Sequence, residues 1–100
     1  MNNPSTISEL LQKLRTHIPY LKEVYQVDTL QVFGSYVRGE EKAASDLDIL
    51  VMFTETPSLL EFVALENYLS DILRVKVDLV MKNTLREPLQ NIILEEAVFV

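Results

Sequence analysis

The sequence predicts an α/β (α+β) fold in which helices pack on a small mixed β-sheet of three to four strands. Short apolar runs of strand length, at 30–33, 46–53 and 76–81, alternate with segments whose apolar residues recur at helical spacing. The longest helical segment also begins with a capping box, because Ser58 is followed three residues later by Glu61. Strands and helices that alternate along a short chain are expected to form one layered sheet-and-helix domain.

Length and composition restrict the class of protein. The chain has 100 residues, of which 48% are hydrophobic and only two are glycine, and this suits one folded domain over residues 1–100. It contains no cysteine, and no apolar run reaches the roughly 18 residues that a membrane span requires. We therefore expect a cytoplasmic protein without disulfides and without contact with a membrane.

The net charge limits the choice of substrate. Nine basic residues are scattered among fifteen acidic ones, and the net charge is −6. A protein that binds a nucleic-acid backbone needs clustered lysine and arginine, because contacts with phosphate supply most of the affinity. We therefore expect no direct binding of nucleic acid, and a protein or a small molecule is the better candidate substrate.

Two helices are expected before the first strand. Thr6 and Glu9 form a capping box, and apolar residues at helical spacing continue to Ile18, so the first helix should run from Thr6 to Ile18. Pro19 should then stop or kink this helix. Because proline suits the first position of a helix, a second short helix should run from Pro19 to about Tyr25.

The stretch 32–53 carries the most specific pattern in the chain. Gly34 and Ser35 follow the first strand, and ten residues later Asp46 and Asp48 open the second strand. A glycine and a serine between a strand and a helix let the backbone approach a phosphate and leave N–H groups pointing at it. Because side chains alternate along a strand, the two aspartates project to one side and could share a divalent cation. A phosphate site beside a metal site is therefore predicted.

The remaining elements follow from the same local signals. We expect, in order, a helix from Ser35 through Arg38 and Glu41, a turn over 42–45, a helix over 58–74 and a helix over 88–95. The apolar residues 97–100 suit either an edge strand or a contact with a partner.

Asp78 is an unusual residue in the third strand. It interrupts the otherwise apolar run KVDLVM, which is unexpected in a buried strand unless the carboxylate has a partner. A cation shared with Asp46 and Asp48 would supply that partner. An ion pair with Lys76 or Arg74 is the structural alternative, and the sequence leaves both open.

The spacing of Gly-Ser, ten residues and Asp-x-Asp resembles the signature of the DNA polymerase beta-like nucleotidyltransferase superfamily. The length and surroundings of the motif look like those of its smallest members, the minimal nucleotidyltransferases, which include MntA-type antitoxins paired with HEPN-domain toxins. The resemblance implies the palm-like nucleotidyltransferase fold of polymerase beta.

The resemblance also implies roles for the site residues. Asp46, Asp48 and Asp78 would be catalytic and would bind two Mg²⁺ ions, with Asp78 taking the proton of the attacking hydroxyl. Gly34 and Ser35 would hold the outer phosphates of ATP, although a serine here could equally be a plain helix cap.

Arg38 matches an arginine that is common in the minimal enzymes. The resemblance makes it a nucleotide-binding residue that contacts the triphosphate. A structural ion pair with Glu40 or another acid explains it equally well, and the sequence leaves the choice open.

The resemblance implies an Mg²⁺-dependent transfer of AMP from ATP to a hydroxyl group of a HEPN-domain toxin. We expect this hydroxyl to belong to a tyrosine, and the transfer to silence the toxin. Two alternatives remain. The chain could be an antitoxin that neutralises its partner by binding alone, with a vestigial nucleotide site. It could also be a small-molecule nucleotidyltransferase similar to the aminoglycoside enzymes, because an acidic pocket suits a cationic sugar.

Overall fold

The computed structural model describes residues 6–42 and 44–100. Its elements are, in order, α1 (Ile7–Val24), β1 (Val27–Phe33), α2 (Ser35–Arg38), β2 (Leu47–Phe53), α3 (Leu59–Leu73), β3 (Val77–Met81), a 3-10 turn (Lys82–Thr84), α4 (Leu89–Glu96) and β4 (Val98–Phe99). The strands form one sheet in the order β3-β2-β1-β4. The predicted α/β fold with a small sheet of three to four strands is confirmed.

The sheet is mixed, as predicted. β1 pairs antiparallel with β2 and with β4, whereas β2 and β3 are parallel. A parallel pair needs a crossover between its strands, and α3 supplies it. β2 is therefore a central strand, and this explains its nearly continuous apolar sequence.

The main core lies between one face of the sheet and the helices α1 and α3. The fully buried leucines of the two helices recur at helical spacing; they are Leu10, Leu14 and Leu21 in α1 and Leu65, Leu69 and Leu73 in α3. From β2 they meet Leu47, Ile49 and Val51. Because side chains alternate along a strand, Asp48, between these positions, projects from the opposite face of the sheet.

α1 is one continuous helix with Pro19 inside it, so the prediction of two helices was wrong. The capping box of Thr6 and Glu9 is present as predicted. Pro19 is exposed, so its ring lies on the solvent side of the helix and does not disturb the core. Leu14 and Leu21, both fully buried, hold the helix on either side of the proline. Their packing outweighs a proline cost of about 3 kcal/mol.

The ends of several helices and strands differ from the predicted ends by a few residues. α2 ends at Arg38 instead of running through Glu41, because Gly39 adopts a left-handed conformation (φ +73°) that caps the helix. β1 begins at Val27, three residues earlier than expected, and β2 begins after Asp46. β3 lacks its predicted first residue, and α4 starts and ends one residue later than expected.

Two hydrogen bonds join the ends of the predicted turn over 42–45. The Ser45 N–H donates to the Lys42 carbonyl at 2.9 Å, and the Lys42 N–H donates to the Ser45 hydroxyl at 2.7 Å. Ala43, within this predicted turn, lies outside the described residues.

The free edge of β3 is covered by polar side chains of α3. The Glu66 Oε2 atom accepts from the Leu79 N–H at 2.9 Å, and the Ser70 hydroxyl accepts from the Val77 N–H at 3.0 Å. An uncovered edge would offer these N–H groups to another strand. The two contacts fix β3 on both sides of Asp78.

Among residues 6–42 and 44–100, no helix combines the length and the apolar character needed to cross a membrane.

Candidate active site

Three predicted carboxylates lie at the same end of the sheet. Asp48 of β2 stands directly opposite Asp78 of the parallel strand β3, so their side chains project from the same face. Asp46 lies two residues before Asp48 in the segment that enters β2. The side chains of Asp46 and Asp48 are half-buried, whereas Asp78 is exposed. The structure thus brings together residues that are 30 positions apart in the sequence.

Asp48 has the most perturbed carboxyl group of the site. Burial, followed by the negative charges of Asp78 and Asp46, raises the pKa of Asp48 from 3.8 to about 6. The positive charge of Arg38 acts in the opposite direction. The ionised form of Asp48 therefore destabilises the folded protein, and a bound cation would offset this loss of stability.

The chemistry of the three carboxylates suits magnesium, because Mg²⁺ prefers oxygen ligands. Within the part of the chain that the structure describes, no group of three or more His, Cys, Asp and Glu side chains lies close enough together to hold a metal ion. Asp46, Asp48 and Asp78 nevertheless offer oxygen ligands from one side of the sheet: Asp48 lies in β2, Asp46 in the segment that enters it, and Asp78 in the adjoining β3. A bound cation would also reduce the electrostatic repulsion among the three carboxylates. The two predicted Mg²⁺ ions stay a prediction.

Gly34 lies directly against the Asp48 carboxylate. Its backbone has φ +87°, a conformation that glycine adopts at little cost. A Cβ atom at this position would overlap the Asp48 carboxylate and would lie 3.0 Å from Cγ of that residue. Both the backbone conformation and the space require glycine. The predicted phosphate turn and the predicted metal ligands are therefore in contact.

The turn that follows Gly34 leaves two N–H groups available. The N–H groups of Val37 and Arg38 both donate to the Gly34 carbonyl, at 3.1 and 3.2 Å. Those of Ser35 and Tyr36 have no hydrogen-bond acceptor among the described residues. Gly34 occupies the cap position of α2, so Ser35 is not the cap and its hydroxyl is not used for capping. Such an arrangement can bind an anion.

Arg38 forms the ion pair that the sequence left open, together with a second one. Its Nε atom donates to Glu40 at 2.9 Å, and its Nη1 atom donates to both carboxylate oxygens of Glu96 at 3.0 and 3.1 Å. A contact between Arg38 and a nucleotide stays a prediction.

Glu96 is a site residue that was not predicted from the sequence. Its Oε2 atom accepts from the Gly34 N–H at 2.8 Å. Two features of the sequence could have indicated it. Glu96 lies on the side of α4 that carries the buried Ile93, and it lies at the C-terminal end of the helix, where the helix dipole disfavours negative charge.

Glu41 and Tyr36 form a second group beside the carboxylates. The Oε1 atom of Glu41 is buried and has no hydrogen-bond partner among the described residues. Burial, followed by the negative charges of Glu41 and Asp46, raises the pKa of the buried Tyr36 phenol. Tyr36 therefore stays neutral and adds no negative charge at this end of the sheet.

Comparisons with known proteins show extensive similarity. Residues 14–100 match a family model described as a nucleotidyltransferase domain. The chain is 48% identical over 95 residues to the protein adenylyltransferase MntA of Thermococcus cleftensis, which covers 95% of this chain and 96% of that protein. It is 49% identical over 96 residues to MJ0128 of Methanocaldococcus jannaschii, provisionally named a protein adenylyltransferase, with 95% and 98% covered.

Two solved structures have a similar fold. One, provisionally described as a minimal nucleotidyltransferase, is 33% identical with a TM-score of 0.79 and covers 97% of this chain and 98% of its own. The other is a crystal structure of a toxin–antitoxin with AMP-PNP. It is 26% identical with a TM-score of 0.66, and the match covers 90% of this chain and 68% of that one.

Proposed function

The chain belongs to the nucleotidyltransferase-domain family, and from this premise we propose that it transfers AMP from ATP to a hydroxyl group of a partner protein. Family membership confirms the predicted nucleotidyltransferase fold, the resemblance to the minimal nucleotidyltransferases and the predicted class of enzyme. One observation carries the proposal: the Gly34 turn touches Asp48, and Asp48 stands in register with Asp78.

ATP would bind with its outer phosphates on the turn after Gly34. The N–H groups of Ser35 and Tyr36, together with the Ser35 hydroxyl, would donate to phosphate oxygens. The related toxin–antitoxin structure contains AMP-PNP, an analogue of ATP, which supports ATP as the donor. A reaction that consumes ATP also favours action in the cytoplasm.

The carboxylates would then direct the transfer. Asp46, Asp48 and Asp78 would hold Mg²⁺, which supplies positive charge against the phosphates and the carboxylates. Asp78 would accept the proton of the attacking hydroxyl while that oxygen forms a bond to the α-phosphorus. The bond from the α-phosphorus to the bridging oxygen breaks, and pyrophosphate leaves with the electron pair. AMP stays on the acceptor oxygen.

The proposed acceptor is a tyrosine hydroxyl of a HEPN-domain toxin, which the modification would silence. Two observations support a protein acceptor. Relatives that are nearly half identical over 95% of the chain carry the name protein adenylyltransferase, and a related structure is a toxin–antitoxin complex. The net charge of −6 would also complement the basic surface expected of a partner that binds RNA.

An antitoxin that acts by binding alone is the second candidate. It is favoured by large exposed apolar side chains near the C-terminus: Leu89, Ile92 and Phe99 are 52%, 60% and 61% exposed. Such side chains could contribute a protein interface without any chemistry.

Transfer of radiolabel from α-labelled ATP tests the proposal. The protein is incubated with Mg²⁺, α-labelled ATP and the product of the adjacent gene, which we expect to be a HEPN-domain protein, and both labelling of that partner and loss of its toxicity are measured. Asp46→Asn should abolish both effects, whereas Asp71→Asn, on the exposed side of α3, should preserve both. Absence of label on the partner, together with full neutralisation by Asp46→Asn, would favour binding alone.

A further inference from the structure

We propose that Glu96 is a positioning residue whose carboxylate holds the turn 34–38 in place, so that the N–H groups of Ser35 and Tyr36 face the phosphates of ATP. This inference deepens the proposed function and rests on it. Glu96 makes no contact with the reacting atoms in this scheme and acts through the turn.

The Glu96 carboxylate contacts both ends of the turn. It accepts from the Gly34 N–H at 2.8 Å, at the start, and from Arg38 Nη1 at 3.0 and 3.1 Å, at the end. Gly34 precedes the first residue of α2, and Arg38 is the last. A single side chain therefore spans the whole turn and fixes it from outside.

The turn needs an external contact because α2 is short. It contains four residues, and one isolated helical turn is unstable since ordering its backbone costs more than its few hydrogen bonds return. Gly39, in the left-handed conformation, prevents α2 from lengthening. Glu96 belongs to the eight-residue α4, which buries Ile93, so the contact ties the turn to a larger element.

The position of Glu96 in its own helix is unfavourable. It is the last residue of α4, where the helix dipole places partial negative charge. Its side chain is also only 26% exposed, so it has lost much of its hydration. The charge-assisted bonds to Arg38 and to the Gly34 N–H offset both effects. We infer that the contact with the turn, and not the stability of α4, explains this carboxylate.

Arg38 has a corresponding place in this arrangement. Its guanidinium is fixed between Glu96 and the exposed Glu40, so it neutralises the Glu96 carboxylate and also lies close enough to Asp48 to lower the pKa of that residue. Without Arg38, the Glu96 carboxylate would repel the phosphates that the turn is proposed to bind.

The binding of Mg²⁺-ATP to four proteins tests the proposal. The dissociation constant is measured by calorimetry for the wild type, Glu96→Ala, Glu96→Gln and the matched control Glu95→Ala, which removes one exposed carboxylate from the same helix. Glu96→Ala should weaken binding by about tenfold or more, as loss of charge-assisted hydrogen bonds predicts. Glu96→Gln should weaken it by about threefold, since its amide oxygen can still accept from the Gly34 N–H. Glu95→Ala should bind like the wild type.

Amide hydrogen exchange without nucleotide gives a second measurement. Glu96→Ala should speed exchange at the N–H groups of Val37 and Arg38, which are bonded to the Gly34 carbonyl. Glu95→Ala should leave it unchanged. A double variant with Ser35→Ala should lose less affinity than the product of the two single losses, because both act through one turn. If Glu96→Ala does not fold, Glu96→Gln carries the same measurements.

Two results would overturn the inference. Unchanged exchange and unchanged affinity in a folded Glu96 variant would show that the turn does not need Glu96 to hold it in place. Tighter binding of Mg²⁺-ATP would show instead that the carboxylate competes with phosphate for the Gly34 N–H. A wild type that binds no Mg²⁺-ATP would refute the proposed function itself, and the exchange data would still show separately whether Glu96 holds the turn.

Discussion

Replacing Asp48 by asparagine should stabilise the cation-free protein at neutral pH while abolishing its activity. Burial and the charges of Asp78 and Asp46 raise the pKa of Asp48 to about 6 from an ordinary value of 3.8. The ionised carboxylate of Asp48 is therefore less favourable in the folded protein than in the unfolded chain. Asparagine has nearly the same shape without the charge, so it removes this cost.

The magnitude follows from the pKa difference. At about 1.36 kcal/mol per pH unit, a rise from 3.8 to about 6 corresponds to about 3 kcal/mol. Because solvent reaches part of the site and screens these charges, we expect a smaller cost of about 1–2 kcal/mol. Near pH 3 and below, the carboxyl is mostly protonated in both the folded and the unfolded chain, and the cost vanishes. It grows as the pH rises from the ordinary pKa of 3.8 to the folded pKa of about 6 and is complete above about pH 7.

Urea denaturation at two pH values, without divalent cations, measures this effect. The unfolding free energy of Asp48→Asn should exceed that of the wild type by about 1–2 kcal/mol near pH 7.5 and should match it near pH 3. Asp71→Asn, at an exposed site on α3, is the control and should show no such pH-dependent gain. An equal gain at both pH values, or none near pH 7.5, would refute the electrostatic explanation. Loss of AMP transfer is expected at every pH.

Three further predictions concern other parts of the molecule. Gly34→Ala should reduce the free energy of unfolding by about 1–3 kcal/mol and abolish AMP transfer, because the new Cβ atom would overlap the Asp48 carboxylate and the backbone has a positive φ. A thermal melt with wild-type stability would contradict this. Mg²⁺ should raise the melting temperature of the wild type but much less that of Asp48→Asn, and equal shifts would argue that the metal binds elsewhere. Pro19→Ala should stabilise the protein by about 1–3 kcal/mol in urea denaturation, since it restores a helical hydrogen bond in α1, and a loss of stability would show that the proline is needed there.

Local patterns in the sequence were enough to predict the class of fold and to propose both halves of the candidate site. The alternation of side chains along β2 places Asp48 on the face opposite Leu47 and Ile49, whatever the neighbouring strands do. The glycine before Ser35 ends β1 and starts α2, because only its backbone readily makes that turn. These features depend on residues that are close in sequence, so they can be read without the fold.

Tertiary structure decided the features that depend on distant residues. Packing of α1 against the sheet and α3 keeps that helix continuous through Pro19, which local propensity could not predict. The parallel register of β2 and β3 sets Asp78 opposite Asp48, and burial in this setting raises the pKa of Asp48. Glu96 reaches Gly34 across 62 residues. A sequence states which groups are present, but only the folded chain determines how far each one lies from its neighbours and from water.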